Sequence, residues 1–198
     1  MSTQRFALSL AAVSAAVLLG ACGAMAPMTP MTPMTPMTPM ASSMFMQDSL
    51  PEAVKVPAGH KVAMETVGVG EITYECRDKA NAPGMTEWVF VGPNAALNDR
   101  SGKQVGKYYG PPASWEAMDG SKVTATQVAV APAGAGNLPY HLVKANPAMG
   151  SGAMTGVSYI QRVALKGGVA PASVCGPASK GAREIVKYQA DYIFWKSV

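Results

Sequence analysis

One short run of the chain holds the side chains best suited to chemistry on a small molecule or a glycan: Tyr108, Tyr109, Trp115, Glu116 and Asp119. Glu116 and Asp119 are near enough in sequence to act as a paired general acid and base in a hydrolase-like reaction. That role requires a cleft and one carboxyl whose pKa is raised. Tyr109 and Trp115 beside them would stack on a sugar ring, so Tyr108, Tyr109, Trp115 and Glu116 form the candidate binding surface. Nothing else in the chain reinforces catalysis. There is no HExxH, GxSxG or P-loop, and the two histidines, His60 and His141, stand far apart. His60, beside the Pro57-Ala58-Gly59 turn, reads as a surface residue. Gly68-Val69-Gly70 opens a dinucleotide-like pattern, but Thr73 takes the place of the third Gly and a strand pattern follows, so no nucleotide cofactor is expected. The preferred reading is therefore a non-catalytic hairpin with a solvated Glu and a turn Asp, and no cofactor is assigned.

A second chemistry is metal capture. Met28-Thr29-Pro30 is repeated four times, placing Met28, Met31, Met34 and Met37 at every third position. Thioethers select Cu(I). Pro at that period favours polyproline II, in which successive Met residues form one stripe but lie about 9 Å apart, too far for one ion to bridge neighbours. An extended spacer with few groups to bury is the simpler reading, and Cu(I) capture the lesser alternative. No Cys/His cluster has metal spacing.

The start of the chain reads as a targeting signal. Arg5 precedes an apolar stretch from Phe6 to Leu19, too short for a permanent membrane span, which ends in Leu19-Gly20-Ala21-Cys22. Small residues before a Cys at that point resemble a lipobox. The resemblance implies cleavage before Cys22, acylation of its thiol and amine with palmitate-like chains, and stable anchoring in a bacterial envelope membrane. Gly23 rather than Asp follows the Cys, which favours the outer membrane. The net charge is +4, with the 16 Lys and Arg residues scattered rather than clustered, so no nucleic-acid partner is expected. The organisation is thus a signal peptide at 1–21, a lipidated Cys and disordered tether at 22–50, and a folded domain at 51–198.

The elements that would position the candidate residues are strands. With 20 Gly and 16 Pro the chain favours turns over long helices. Asp119-Gly120 predicts a type I′ hairpin between Trp115–Met118 and Lys122–Thr126. Glu71–Arg77 alternates with Ile72, Tyr74 and Cys76 on one face. Glu87–Val91 is a second strand, and Gly92–Leu97 reads as one helical turn. Leu138, Tyr140 and Leu142 share a face, and Gly156–Ala164 is a strand in which Gln161 and Arg162 read as polar ladder positions. The last strand puts Val186, Tyr188, Ala190, Tyr192 and Phe194 on one side. About eight short strands imply an all-β domain, a single antiparallel β-sandwich or barrel. With Cys22 lipidated, Cys76 and Cys175 remain as an even pair in an oxidising compartment, so a disulfide between the beginning and end of the domain is expected.

The runs Ile72–Arg77, Trp88-Val89-Phe90, Trp115-Glu116 with Asp119-Gly120-Ser121, Val157–Val163, Gly167–Pro171, Cys175 and Tyr188–Phe194 resemble the domain of unknown function 3455 family, over nearly everything from Pro51 on. The resemblance implies a secreted bacterial or fungal protein and no defined activity. A malate dehydrogenase label carried by some fungal members is opposed by the missing nucleotide fingerprint. Where members often have His before the central Gly-Pro, this chain has Tyr108-Tyr109. Together these features describe a lipid-anchored envelope protein whose non-catalytic β domain binds an unknown ligand or envelope protein, with the hydrolase-like reading as the alternative.

Overall fold

The computed structural model describes residues 45–198. The signal sequence, Cys22 and the stripe of Met28, Met31, Met34 and Met37 lie outside the described residues. Eight strands follow in order: β1 (His60–Asp78), β2 (Thr86–Asn98), β3 (Gln104–Tyr109), β4 (Ser114–Ala117), β5 (Lys122–Ala131), β6 (Tyr140–Ala145), β7 (Val157–Gly167) and β8 (Arg183–Ser197). Each runs antiparallel to the next, and β8 pairs back onto β1, closing one sheet into a barrel. Closure removes both sheet edges, which is how an all-β chain avoids exposing unpaired backbone.

The period-2 pattern decides which side chains enter the barrel. Ile72 and Tyr74 of β1, Leu97 of β2, Val143 of β6, Ile160 of β7 and Tyr188, Ala190, Tyr192 and Phe194 of β8 belong to one interior cluster. The alternate residues form a second cluster on the outer wall, where Leu142, Val163, Ile193 and Trp195 are covered by Val54 and Val56 of the N-terminal segment. Each such apolar side chain contributes roughly 1.5–3 kcal/mol when fully buried. β8 is therefore apolar on both faces. Leu142 lies in this outer cluster while Leu138 packs against the interior, so the shared face expected for them is not formed. Residues 45–50, read as the end of the tether, belong to the same covering: Phe45 sets its ring edge-on to Trp195 at 6.5 Å.

Gly68 explains the abortive nucleotide pattern. A Cβ at this position would stand 2.5 Å from the ring of Tyr192, so Gly is required for that ring to lie inside the barrel. Gly92–Leu97 is strand rather than a helical turn: it pairs with β1 and β3, buries Leu97 completely, and passes Pro93 beside a register shift. The β4–β5 connection is also not type I′. Met118, Asp119 and Gly120 form a three-residue loop closed by Ala117 and Ser121, and only Gly120, with φ of 84°, is left-handed there.

The connections collect at two ends. Loops 79–85, 110–113, 132–139 and 168–182 share one end, and loops 99–103, 118–121 and 146–156 the other. At the first end Cys76 and Cys175 form the expected disulfide, with Cα atoms 5.5 Å apart.

Candidate binding site inside the barrel

The sheet separates the residues that the sequence grouped together. Tyr108 and Trp115 face each other across β3 and β4 and point inward, where their rings stack at 4.7 Å. Tyr109 and Glu116 occupy the alternate, outward positions. Glu116 accepts a hydrogen bond from the Tyr109 hydroxyl at 2.7 Å and pairs with Lys107 at 3.1 Å. The Tyr109 bond and Lys107 hold its carboxyl below the usual range, and Glu116 in turn raises the Tyr109 phenol. Asp119 accepts from the hydroxyl and backbone N–H of Ser121 and from the Ala153 N–H, at 2.6, 2.9 and 2.7 Å. These bonds, that of the Ser121 hydroxyl foremost, keep it ionised as well. Neither carboxyl is poised as a general acid, and Asp119 works as the pin between the 118–121 turn and the 146–156 loop. Neither carboxyl carries the raised pKa that the hydrolase pairing of Glu116 with Asp119 requires. Of the four expected binding residues, Tyr108 and Trp115 lie on the inner side of the wall and Tyr109 and Glu116 on the outer.

A different constellation forms inside. Register places His141 of β6 opposite Arg162 of β7, and Arg162 opposite Tyr192 of β8. Directly opposed residues share one face of a sheet, and Tyr192 fixes that face as the interior. Tyr192 also lies against Tyr108 at 5.0 Å and against the edge of Trp115 at 6.0 Å. Its hydroxyl meets that of Tyr188 at 3.2 Å, while the Tyr74 hydroxyl donates to the Gly168 carbonyl at 2.8 Å. Arg162 thus stands in a cage of phenols, an indole and an imidazole.

The electrostatics of the cage follow from burial around one cation. Burial raises Tyr74, Tyr108, Tyr188 and Tyr192, and the Arg162 charge only partly offsets this, so all four stay neutral donors. Burial first, and Arg162 second, lower His141 to about 4. The imidazole is therefore neutral near pH 7. Arg162 Nη2 donates to the Pro139 carbonyl at 3.0 Å. Among the described residues three buried nitrogens have no partner: Arg162 Nε, Trp115 Nε1 and His141 Nε2. Among the described residues no carboxylate pairs with Arg162. Folded proteins satisfy the great majority of buried polar groups, and a buried charge is usually paired. Arg162 Nε–H and Trp115 Nε1–H are donors without acceptors, and His141 Nε2 donates or accepts according to its tautomer, so the cage is open to acceptors from elsewhere.

The chain's other two indoles supply a contrast. Trp88 Nε1 donates to the Ser173 carbonyl, and Trp195 Nε1 to Gln161 Oε1, each at 2.9 Å. Among the described residues no group of three or more His, Cys, Asp and Glu comes together to hold a metal ion. Of the cage, sequence reasoning selected only Tyr108 and Trp115. It passed over Arg162, His141, Tyr74, Tyr188 and Tyr192. The available signal was phase: Arg162 lies two residues from Ile160, on the same side of a strand whose apolar positions define the interior.

Comparison with curated proteins and with solved structures finds no match. The family model described as protein of unknown function (DUF3455) matches residues 57–196, from the turn before β1 almost to the end of β8, and the chain belongs to that family.

Proposed function

We propose that this protein is a lipid-anchored envelope protein whose barrel binds a small ligand in its interior without transforming it. The observation that carries the reading is the set of unpartnered nitrogens on Arg162, Trp115 and His141, gathered inside a closed barrel. An eight-stranded barrel encloses room for packed side chains or for one small ligand, which limits the guest to a small molecule or the end of a larger one. The anchoring half of the proposal rests on Leu19-Gly20-Ala21-Cys22, with Gly23 favouring the outer membrane. Its test is the distribution of a Cys22→Ser variant, expected in the soluble fraction; continued fractionation with membranes would remove the anchor from the account.

The binding half is tested by nuclear magnetic resonance of the ¹⁵N-labelled mature protein against small-molecule extracts of bacterial envelopes. The Trp115 indole N–H is expected to shift, while those of Trp88 and Trp195, already donating to Ser173 and Gln161, stay in place. Equal movement of all three, or of none, would count against an interior ligand.

A further inference from the structure

We infer that the barrel's ligand is anionic, with a carboxylate- or phosphate-type oxyanion held by Arg162 inside the tyrosine cage; the inference rests on the interior-binding reading above. A guanidinium carries its proton at all ordinary pH, presents five donors in a fixed fork, and can accept nothing. Here one of its donors is taken by the Pro139 carbonyl, while Nε is buried without a partner. A carbonyl offers a lone pair but no negative charge, so this half-buried cation has no anionic partner among the described residues.

The surroundings favour an anion over a neutral guest. Tyr108, Tyr188 and Tyr192 bring hydroxyls to the interior, the Tyr74 hydroxyl being committed to the Gly168 carbonyl, and Trp115 Nε1 is a donor that can accept nothing. Among the described residues no carboxylate faces Arg162 to compete with an incoming one. Among the described residues the arginines that pair with acids, Arg77, Arg100 and Arg183, do so on the outside, with Glu75, Glu65 and Asp191. Arg162 alone among these arginines points inward. Charge-assisted bonds from Arg to an oxyanion are about twice as strong as neutral ones, so this is where selectivity for the guest would arise. The interior already holds the large aromatic rings of Tyr108, Trp115, Tyr188, Tyr192 and Phe194.

The test uses the mature protein with acetate, inorganic phosphate and acetamide as probes at constant ionic strength, read at the Arg162 Nε–H and Trp115 Nε1–H resonances. Saturable shifts are expected with acetate or phosphate. The stronger of the two identifies the headgroup, and competition between them shows one shared site. Acetamide, the same size as acetate but uncharged, is expected to bind roughly tenfold or more weakly. Arg162→Gln should lose at least about tenfold in oxyanion affinity, and Arg162→Lys should fall between. The Trp88 and Trp195 resonances report whether each variant is folded, and the wild-type comparison of acetate with acetamide needs no variant. Equal binding of acetate and acetamide, or undiminished oxyanion binding by folded Arg162→Gln, would overturn the anionic assignment while leaving an interior ligand in place. Silence toward both oxyanions would also overturn it, and the extract titration then judges the interior reading separately.

Discussion

Gln161 and Arg162 are neighbours on β7, yet they sit in opposite kinds of environment. Gln161 points outward under the N-terminal segment and is completely buried. Its amide donates to the Val54 carbonyl at 2.7 Å and to Gln47 Oε1 at 3.0 Å, and its oxygen accepts from Trp195 Nε1. Gln47 in turn bonds both the N–H and the carbonyl of Val56. Every member of that network is matched within the chain. Arg162, one residue on, points inward and is left with an unpartnered Nε beside an unpartnered His141 and Trp115. The outer polar cluster is a finished structural joint, whereas the inner one needs an acceptor that the described residues do not provide. A buried polar side chain indicates function only when its own fold leaves it unsatisfied.

The largest expected effect touches the frame that both regions share. The Cys76–Cys175 bond joins residues 99 apart in sequence and closes the end of the barrel where Tyr74 bonds Gly168. Chain entropy for a loop of that length gives up to about 4.7 kcal/mol, and a Cys76→Ala/Cys175→Ala variant should lose about 2–4 kcal/mol in urea unfolding. The loss should appear first as faster hydrogen exchange at the disulfide end, with the Gln161 joint protected longer.

Next in size is Gln161→Leu. It strands Trp195 Nε1 and the Val54 carbonyl, so it should cost about 1–3 kcal/mol and free the segment 45–56 to limited proteolysis. A cost near zero would mean that the outer cluster is no joint, and the contrast with Arg162 would collapse.

The pH dependence comes from the inner side. His141 titrates at about 4 when folded against an ordinary 6.5. Because folding depresses this base, the unfolded chain binds the extra proton first. Stability is therefore complete above pH 6.5 and declines as pH falls from there toward about 4. The decline attributable to His141 should be about 2–3 kcal/mol, discounted for partial exposure, and His141→Phe should flatten it between those limits. An unchanged slope would place the imidazole in water rather than in the cage.

The smallest effect is expected on the outer surface of β4. Glu116→Gln should leave both the unfolding midpoint and oxyanion binding unchanged, because its partners Tyr109 and Lys107 lie outside the barrel. Any loss of ligand affinity in that variant would reopen the grouping that the sequence suggested.

Much of the frame was legible in the residues. The alternation of β1, the inward row of β8 and the cysteine pair needed only period and parity, and each is found. Two kinds of information were not local. Gly92–Leu97 becomes strand because β1 and β3 lie on either side of it, and long-range pairing overrides the turn-like Gly-Pro-Asn start. The orientation of β7 was hidden because both of its faces are buried, Ile160 and Leu165 inside and Gln161 and Val163 outside. Polar and apolar residues then cease to mark out and in, so Arg162 read as an ordinary ladder position. Tyr108-Tyr109 and Trp115-Glu116 misled in the same way: adjacent residues look like one surface until the sheet divides them.

The central claim is that Arg162 is unfinished by design, and it is tested most directly by urea unfolding of wild type and Arg162→Met with and without a saturating oxyanion at constant ionic strength. Replacing a half-buried charge that has no anionic partner with an apolar side chain should leave the variant as stable as wild type or more so. The oxyanion should raise the wild-type unfolding free energy by about 2.7 kcal/mol at a hundredfold excess over Kd, and leave the variant unmoved. A variant several kcal/mol less stable than wild type, with both proteins responding equally to the oxyanion, would show Arg162 to be a structural residue and contradict the account.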